Sequence, residues 1–308
     1  MRRRSHRALV SFWLLLVAAA WTAGYSAAVW WNSRNAPESK SGADAGKKSI
    51  SVVSEALKGE NRVPVPSPVS SDRQPKKTDS RGLVAIIVDD MGTSVRIARE
   101  LSSMTLPLTW SLIPGQPRSE AVALFAKEKG IPMMIHMPME PVGNGYDRNF
   151  LVGVTTSPDV VHDEVRRIFL LYPWAIGMNN HMGSRATADA GTMRNLMKAM
   201  KGTGKFFVDS RTTSASVAVK EARDADIPVA ASSVFLDHES TPEYMTTQCE
   251  RMARIARKRG WVIAIIHPRP KSMKLLRQLA ETPPDGVRFV TMPEIMDSEN
   301  GPMRRLAP

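Results

Sequence analysis

The chain has 308 residues, enough for one large domain or two ordinary ones with a sizeable core. Its apolar and charged fractions, 43% and 23%, are those of a globular protein and exclude disorder throughout. One cysteine, Cys249, excludes an intramolecular disulfide and a cysteine-based zinc cluster, while the net charge of +12 has to be divided along the chain before it can be read.

Residues 1–7, MRRRSHR, hold four arginines, and residues 8–31, ALVSFWLLLVAAAWTAGYSAAVWW, hold no charge. Twenty-four uncharged residues are long enough to cross a bilayer as a helix, and arginines on the near side favour a cytoplasmic N-terminus. The pattern predicts a basic cytoplasmic leader over 1–7 and a transmembrane signal anchor over 8–31, with Trp30 and Trp31 at the far interface. A cleaved signal peptide is the alternative, because Ala18 to Ala20 and Thr22-Ala23-Gly24 are small enough for a peptidase. Either reading places the remainder outside the cytoplasm: anchored to the cytoplasmic membrane and facing the periplasm, or secreted.

Residues 32–80 are polar and rich in proline and serine, which predicts a disordered linker. Four units of positive charge belong to the leader and three to this linker, leaving +5 for residues 81–308. That balance is mild, and nucleic-acid binding is not expected.

From residue 83 short apolar runs alternate with amphipathic ones. Strands are predicted at 83–89, 107–113, 132–136, 174–178, 205–209, 227–235, 261–267 and 287–291. Helices are predicted at 94–104, 119–129, from Pro158 behind a Ser157 cap, and at 188–201, 214–225, 242–259 and 270–281, with Gly202 and Gly260 as stops. The strands are near-continuously apolar, as in a parallel sheet covered on both faces. The order predicts an α/β fold, an irregular (β/α) barrel of seven or eight parallel strands; an open doubly wound sheet is the rival. Trp110, Trp174 and Trp261 are expected in the core.

In such barrels the site gathers at the C-terminal ends of the strands. Asp89 and Asp90 end the first predicted strand and His136 the third. Asn179, Asn180 and His181 follow the fourth, Asp209 ends the fifth, Asp237 and His238 follow the sixth, and His267 ends the seventh. Each has an ordinary explanation: an aspartate pair can cap a helix, and Asn179-Asn180 can be turn chemistry. Together they point to one shared mouth. A carboxylate with two imidazoles suits zinc and also manganese, cobalt or iron, and the matching chemistry is metal-assisted hydrolysis. A second carboxylate beside the first can accept a proton from water, and a histidine on the opposite rim can protonate a leaving group.

The segments AIIVDDMG (85–92), PLTWSLIPG (107–115), MIHMPMEP (134–141), GMNNHMGSRAT (177–187), FFVDSRTT (206–213), VFLDH (234–238) and IIHPRP (265–270) resemble the divergent polysaccharide deacetylases, relatives of the NodB-type carbohydrate esterases. The resemblance spans about 83–293. It implies an irregular barrel and metal-dependent removal of acetyl groups from sugars, with a polysaccharide or peptidoglycan-type substrate. It further implies Asp89 as general base, Asp90 and His181 as metal ligands, and His267 as general acid. Common deacetylases place both histidine ligands in one His-x-x-x-His motif; here the fourth residue after His181 is Arg185, and His136 is the replacement. Asp209 and Arg211 are candidates for orienting the base or the acid. Glu140 either binds metal or caps its loop. Loop 138–156, with Tyr146 and Phe150, is either a substrate lid or an ordinary surface loop. The alternatives to a deacetylase are a glycan-binding scaffold that keeps the metal site without turnover, and another metal hydrolase such as a phosphoesterase.

Overall fold

The computed structural model describes residues 81–143, 151–298 and 301–302, all within one compact unit, Gln74–Pro308. The leader, anchor and linker expected over 1–80, and Tyr146 and Phe150, lie outside the described residues. Among the described residues no helix is long and apolar enough to cross a membrane.

The chain runs β1 (Gly82–Met91), α1 (Val95–Ser102), β2 (Leu108–Leu112), α2 (Ser119–Glu128), β3 (Met133–Met139), α3 (Pro158–Leu171), β4 (Gly177–Met182), α4 (Ala190–Met200), β5 (Phe206–Asp209), α5 (Ala218–Asp224), β6 (Val229–Ala231), β7 (Val234–Phe235), α6 (Pro242–Arg259), β8 (Trp261–Ile266), α7 (Pro270–Glu281), β9 (Val287–Val290) and α8 (Met292–Asp297). Local chemistry sets the boundaries. The Ser94, Ser157 and Thr241 side chains accept from the backbone of α1, α3 and α6, and Pro158 and Pro242 occupy first-turn positions where a missing N–H costs nothing. Gly260, at φ 90°, ends α6 in the left-handed conformation behind three basic residues that complement the helix dipole.

All strand pairings are parallel, in the order β6-β5-β4-β3-β2-β1-β8-β7. The sheet curls into a half-barrel, which rules out the flat doubly wound alternative, and its two ends fall on one stretch of chain. β6 pairs with β5, and the Ser232 amide continues that pairing by donating to the Asp209 carbonyl. One residue later the Ser233 amide donates to the Ile263 carbonyl, and β7 pairs with β8. The single strand expected at 227–235 is therefore two short strands that change partner at a serine pair. The eighth expected strand, β9, lies off the main path and pairs with the first half of β1.

Two apolar clusters divide the sheet's faces. Val84, Ile86 and Val88 of β1 join Ile135 and Met137 of β3 and the buried faces of α1–α7. The alternate residues Ala85 and Ile87 join Met134, Val208, Ile263 and Ile265 on the concave face. This is the period-2 alternation of strands applied around a curved sheet. Trp110 and Trp261 are buried as expected, while Trp174 is half-buried and packs against the outer cluster.

The short helix α8 was not expected from the sequence. Thr291 and Glu294 form its capping box, and Met292, Ile295 and Met296 pack into the concave cluster. The Met292 amide donates to the buried Thr109 hydroxyl of β2 at 2.9 Å. Apart from Thr109, the concave face is thus filled with apolar side chains towards the strand N-termini, and its other polar side chains gather at the opposite end.

Candidate metal centre

The polar layer follows from the same alternation. Asp89 of β1, Ser111 of β2, His136 of β3 and Asn179 and His181 of β4 all continue the concave-facing series. Besides β1, which runs to Met91, two further strands extend past their expected ends. β3 runs to Met139 and β4 to Met182, so His136 lies mid-strand and Asn179, Asn180 and His181 lie within β4 rather than beyond it. His136 is directly opposite Asn179 in register, and Pro138 is opposite His181.

Strict alternation would turn Asp90 away from Asp89. β1 avoids this with a bulge: between Val88 and Met91 it advances three residues while β2 advances two, from Trp110 to Leu112. Asp90 is the residue that takes up the slack, at φ 57°. A non-glycine residue in that region costs about 1–2 kcal/mol, and here the distortion brings neighbouring carboxylates to the same mouth. Asp89 has 2% of its side chain exposed and Asp90 34%.

Asp90 Oδ1 lies 3.0 Å from His181 Nδ1 and 3.3 Å from His136 Nε2. One ligand atom from each of Asp90, His136 and His181 falls within 4.8 Å of the others. Asp90 Oδ1 is nonetheless buried without a hydrogen-bond partner among the described residues. The two ring nitrogens approach it at ion-pair distance. Three donor atoms turned towards a common point, one of them an orphaned carboxylate oxygen, fit a divalent cation with nitrogen and oxygen ligands at roughly 2.0–2.2 Å. Burial raises the Asp90 carboxyl pKa, but the rings of His136 and His181 outweigh it and hold the carboxyl well below the usual carboxylate range.

Asn179 sits behind these groups. Its Oδ1 accepts from Ser111 Oγ at 2.5 Å and lies 2.9 Å from His136 Nδ1, while its Nδ2 donates to Asp89 Oδ1 at 2.9 Å and to Ser210 Oγ at 3.2 Å. The amide acceptor requires His136 Nδ1 to carry a proton, which turns the lone pair of a neutral ring to Nε2 and the mouth. Burial pushes the Asp89 carboxyl up, against the pull of His136 and the Asn179 amide. His136 is raised above an ordinary histidine: burial lowers it, and the two aspartates more than compensate.

Across the mouth, His267 Nε2 lies 4.0 Å from Asp90 Oδ2. Its Nδ1 is 2.9 Å from Asp237 Oδ1, and its backbone amide donates to Asp237 Oδ2 at 2.9 Å. Ser272 Oγ donates to the same Oδ2 at 2.6 Å. Burial lowers the His267 pKa, but the Asp237 hydrogen bond and charge raise it above the usual histidine value.

Other sequence candidates stand elsewhere. The contacts of the Asp209 carboxylate are with the Arg211 amide and Ser216, within its own turn; it touches neither Asp89 nor His267, whose partners are Asn179 and Asp237. His238 is exposed, with its ring 6.4 Å from that of Tyr244. Of the two roles open to Glu140, the geometry matches loop capping: it accepts from Arg185 Nη1 at 2.7 Å and from the Val154 amide at 2.8 Å. That pairing also accounts for Arg185 at the position where common deacetylases have a histidine. Sequence reading placed Asn179 at the shared mouth, with turn chemistry as its ordinary explanation, and gave it no role; the signal for one was its two-residue spacing from His181 on one strand face.

A family model described as divergent polysaccharide deacetylase matches residues 86–296. An uncharacterized protein of Haemophilus influenzae is 34% identical over 216 residues, covering 70% of this chain and 77% of that one. The uncharacterized protein YibQ of Escherichia coli is 29% identical over 220 residues, covering 70% of this chain and 68% of its own. Among solved structures, an uncharacterized protein of Agrobacterium tumefaciens superposes with a TM-score of 0.63 at 20% identity, over 68% of this chain and 87% of that one, a likeness of fold.

Proposed function

The chain belongs to the divergent polysaccharide deacetylase family, and from that premise we propose that it is a metal-dependent hydrolase removing acetyl groups from a cell-envelope polysaccharide or peptidoglycan-type glycan. The observation that carries this reading is the convergence of Asp90, His136 and His181 between Asp89 on one side and His267 on the other.

In this reading Asp90, His136 and His181 hold one divalent cation, with zinc the best match to the donor set. When bound, the cation supplies a Lewis acid for the acyl carbonyl and a water of lowered pKa. The chain's own groups then divide the proton work. Asp89 Oδ1 is occupied by the Asn179 amide, which leaves Oδ2 to take the proton of the attacking water. His267 Nδ1 is occupied by Asp237, which leaves Nε2 to present a proton to the departing sugar nitrogen or oxygen. Asp237 keeps the ring oriented and favours its charged form until that transfer.

The reading extends to location. The basic residues 1–7 and the uncharged 8–31 hold the domain to the outer face of the cytoplasmic membrane, with 32–80 as a tether. Recovery of a soluble mature protein starting between about residues 20 and 32 would decide for a cleaved signal instead.

The test is metal analysis of the full chain followed by acetate release across a panel of acetylated glycans. One equivalent of metal, lost in Asp90→Asn, with acetate released from at least one glycan, is the expected result. A parent chain that binds no divalent cation and releases no acetate would sink the proposal.

A further inference from the structure

Asn179 is completely buried, and all four of its side-chain hydrogen-bonding positions are taken, by Ser111, His136, Asp89 and Ser210. An amide in this layer is not needed for packing. The layer beneath is filled by the apolar side chains of Met134, Ile87 and Val208, and a leucine has the same branched skeleton, although its methyl groups are bulkier than the amide's oxygen and nitrogen. What the amide provides is polarity of opposite sense at its two ends. Its oxygen faces His136 and its nitrogen faces Asp89; an apolar side chain can present neither, and a hydroxyl carries its donor and its acceptors on one oxygen instead of on two separate atoms.

We infer that Asn179 is the positioning residue that couples the base to the metal ligand: one rigid amide fixes both the tautomer of His136 and the direction of the Asp89 carboxylate. The inference rests on the metal-dependent reading above. Ser111 anchors the far side of the amide oxygen, and the register of β3 against β4 sets the amide opposite the ring it holds. Rotating the amide by half a turn would place N–H against N–H at His136 and oxygen against oxygen at Asp89, so only one orientation satisfies both neighbours. Asn180, one residue on, faces away from this group: its Oδ1 accepts from the Ser210 amide and its Nδ2 donates to the Met182 carbonyl. The sequence Asn179-Asn180 thus divides into a residue serving the site and a residue serving the loop.

Three variants of the full chain separate this role from a structural one. Asn179→Leu removes both polar ends of the amide on the same branched skeleton; its zinc affinity, measured by competition with a chromophoric chelator, is expected to fall 10- to 100-fold. Asn179→Asp keeps the acceptor for His136 and loses the donor for Asp89. Zinc affinity is expected to stay within a few-fold of the parent while the melting temperature of the metal-free chain drops by roughly 4 °C or more. Combining Asn179→Asp with Asp89→Asn restores a donor–acceptor pair in reverse, and the lost melting temperature is expected to return. On any glycan the parent deacetylates, Asn179→Asp lowers kcat about 100- to 10,000-fold with KM little changed, and the reversed pair does not restore it.

Zinc binding by Asn179→Leu equal to that of the parent would overturn the inference, as would a reversed pair no more stable than Asn179→Asp alone. Should the parent release no acetate from any glycan, the deacetylase reading fails, while zinc affinity and the stability of the reversed pair still decide the role of Asn179. Should the parent bind no zinc, the metal reading and the coupling fail together, and recovery of stability in the reversed pair would leave Asn179 only its bond to Asp89.

Discussion

Asp237 grips His267 at two points, ring and backbone, with one carboxylate: Oδ1 is 2.9 Å from Nδ1, and Oδ2 accepts the amide of the same residue at 2.9 Å. Burial raises the Asp237 carboxyl pKa, but the hydrogen bonds from His267 and Ser272 overcome this and hold it below its ordinary value. The pair therefore favours charge on both partners, and its removal should be visible in pH dependence. His267 has a raised pKa, so its protonated form persists to higher pH than in a free histidine. Asp237→Asn removes the principal cause of that rise. The alkaline limb of kcat/KM should move to lower pH, with metal content unchanged. An alkaline limb that stays in place in Asp237→Asn would remove His267 as the acid.

The aspartate pair makes opposite predictions from nearly identical substitutions. Asp89→Asn should leave metal stoichiometry intact and abolish turnover, because an amide cannot accept the proton of water. Asp90→Asn should lower metal affinity directly, because a charged ligand is lost. If both aspartates only capped the following chain, each variant would lose about 1 kcal/mol of stability and keep its metal. Equal loss of metal in both variants would describe a two-carboxylate cage. Metal stoichiometry and acetate release on the two purified variants distinguish these outcomes.

Arg185 and Glu140 tie the loop after β4 to the loop after β3. Their charged contact is reinforced by the Glu140 carbonyl, which accepts from the amides of Arg185 and Ala186. Arg185→His would recreate the His-x-x-x-His spacing of common deacetylases, but residue 185 is committed to Glu140. The variant is expected to gain no metal affinity and to lose about 1–2 kcal/mol of stability, a value tempered by the solvent around the half-exposed arginine. A tighter metal site in Arg185→His would show that the loop can be redirected.

Far from the mouth, Asp226 occupies a left-handed position just beyond α5, at φ 59°. Glycine adopts that conformation without strain and is the common residue after a helix. Lys201 Nζ lies 3.6 Å from its carboxylate, but both side chains are well exposed and the pair adds little. Asp226→Gly is expected to stabilise the chain by about 0.5 kcal/mol, the strain relief being partly offset by the freer unfolded chain. Activity should not change. Chemical denaturation measures the difference.

The sequence carried the rhythm of this fold because a parallel sheet covered on one face by helices and filled on the other repeats the same apolar alternation strand after strand. It failed where that alternation stopped before the strand did. β3 continues past His136 through Met137 to Met139 and β4 through Asn179-Asn180-His181, residues that read as lying beyond their strands because the upper concave layer is polar. That Asp89, Asp90, His136, His181 and His267 gather in one cluster was legible from their residue types and their places at strand ends. Asn179 and Asp237 could not be assigned their partners in this way: Asn179 acquires His136 through the register of β3 against β4, and Asp237 acquires His267 just beyond the paired ends of β7 and β8. Asp209 misled for the converse reason. It looks like every other strand-end carboxylate, yet its own turn consumes it. The short α8 was hidden by its length, although Thr291 and Glu294 spell a capping box.

The partner change at Ser232 and Ser233 gives the molecule a seam. Three residues of β6 stitch it to β5 and two of β7 stitch it to β8, where the neighbouring β1–β8 pairing runs through six. A half-barrel held this sparingly at its two edge strands is expected to loosen there first, and the amides of 232–236 should exchange with deuterium ahead of those in β1 and β8. The seam ends at Asp237, so the residue that governs the proton on His267 hangs from the most lightly sewn edge of the wall. Thermal breathing of the scaffold and the charge state of His267 are in this way attached to the same thread.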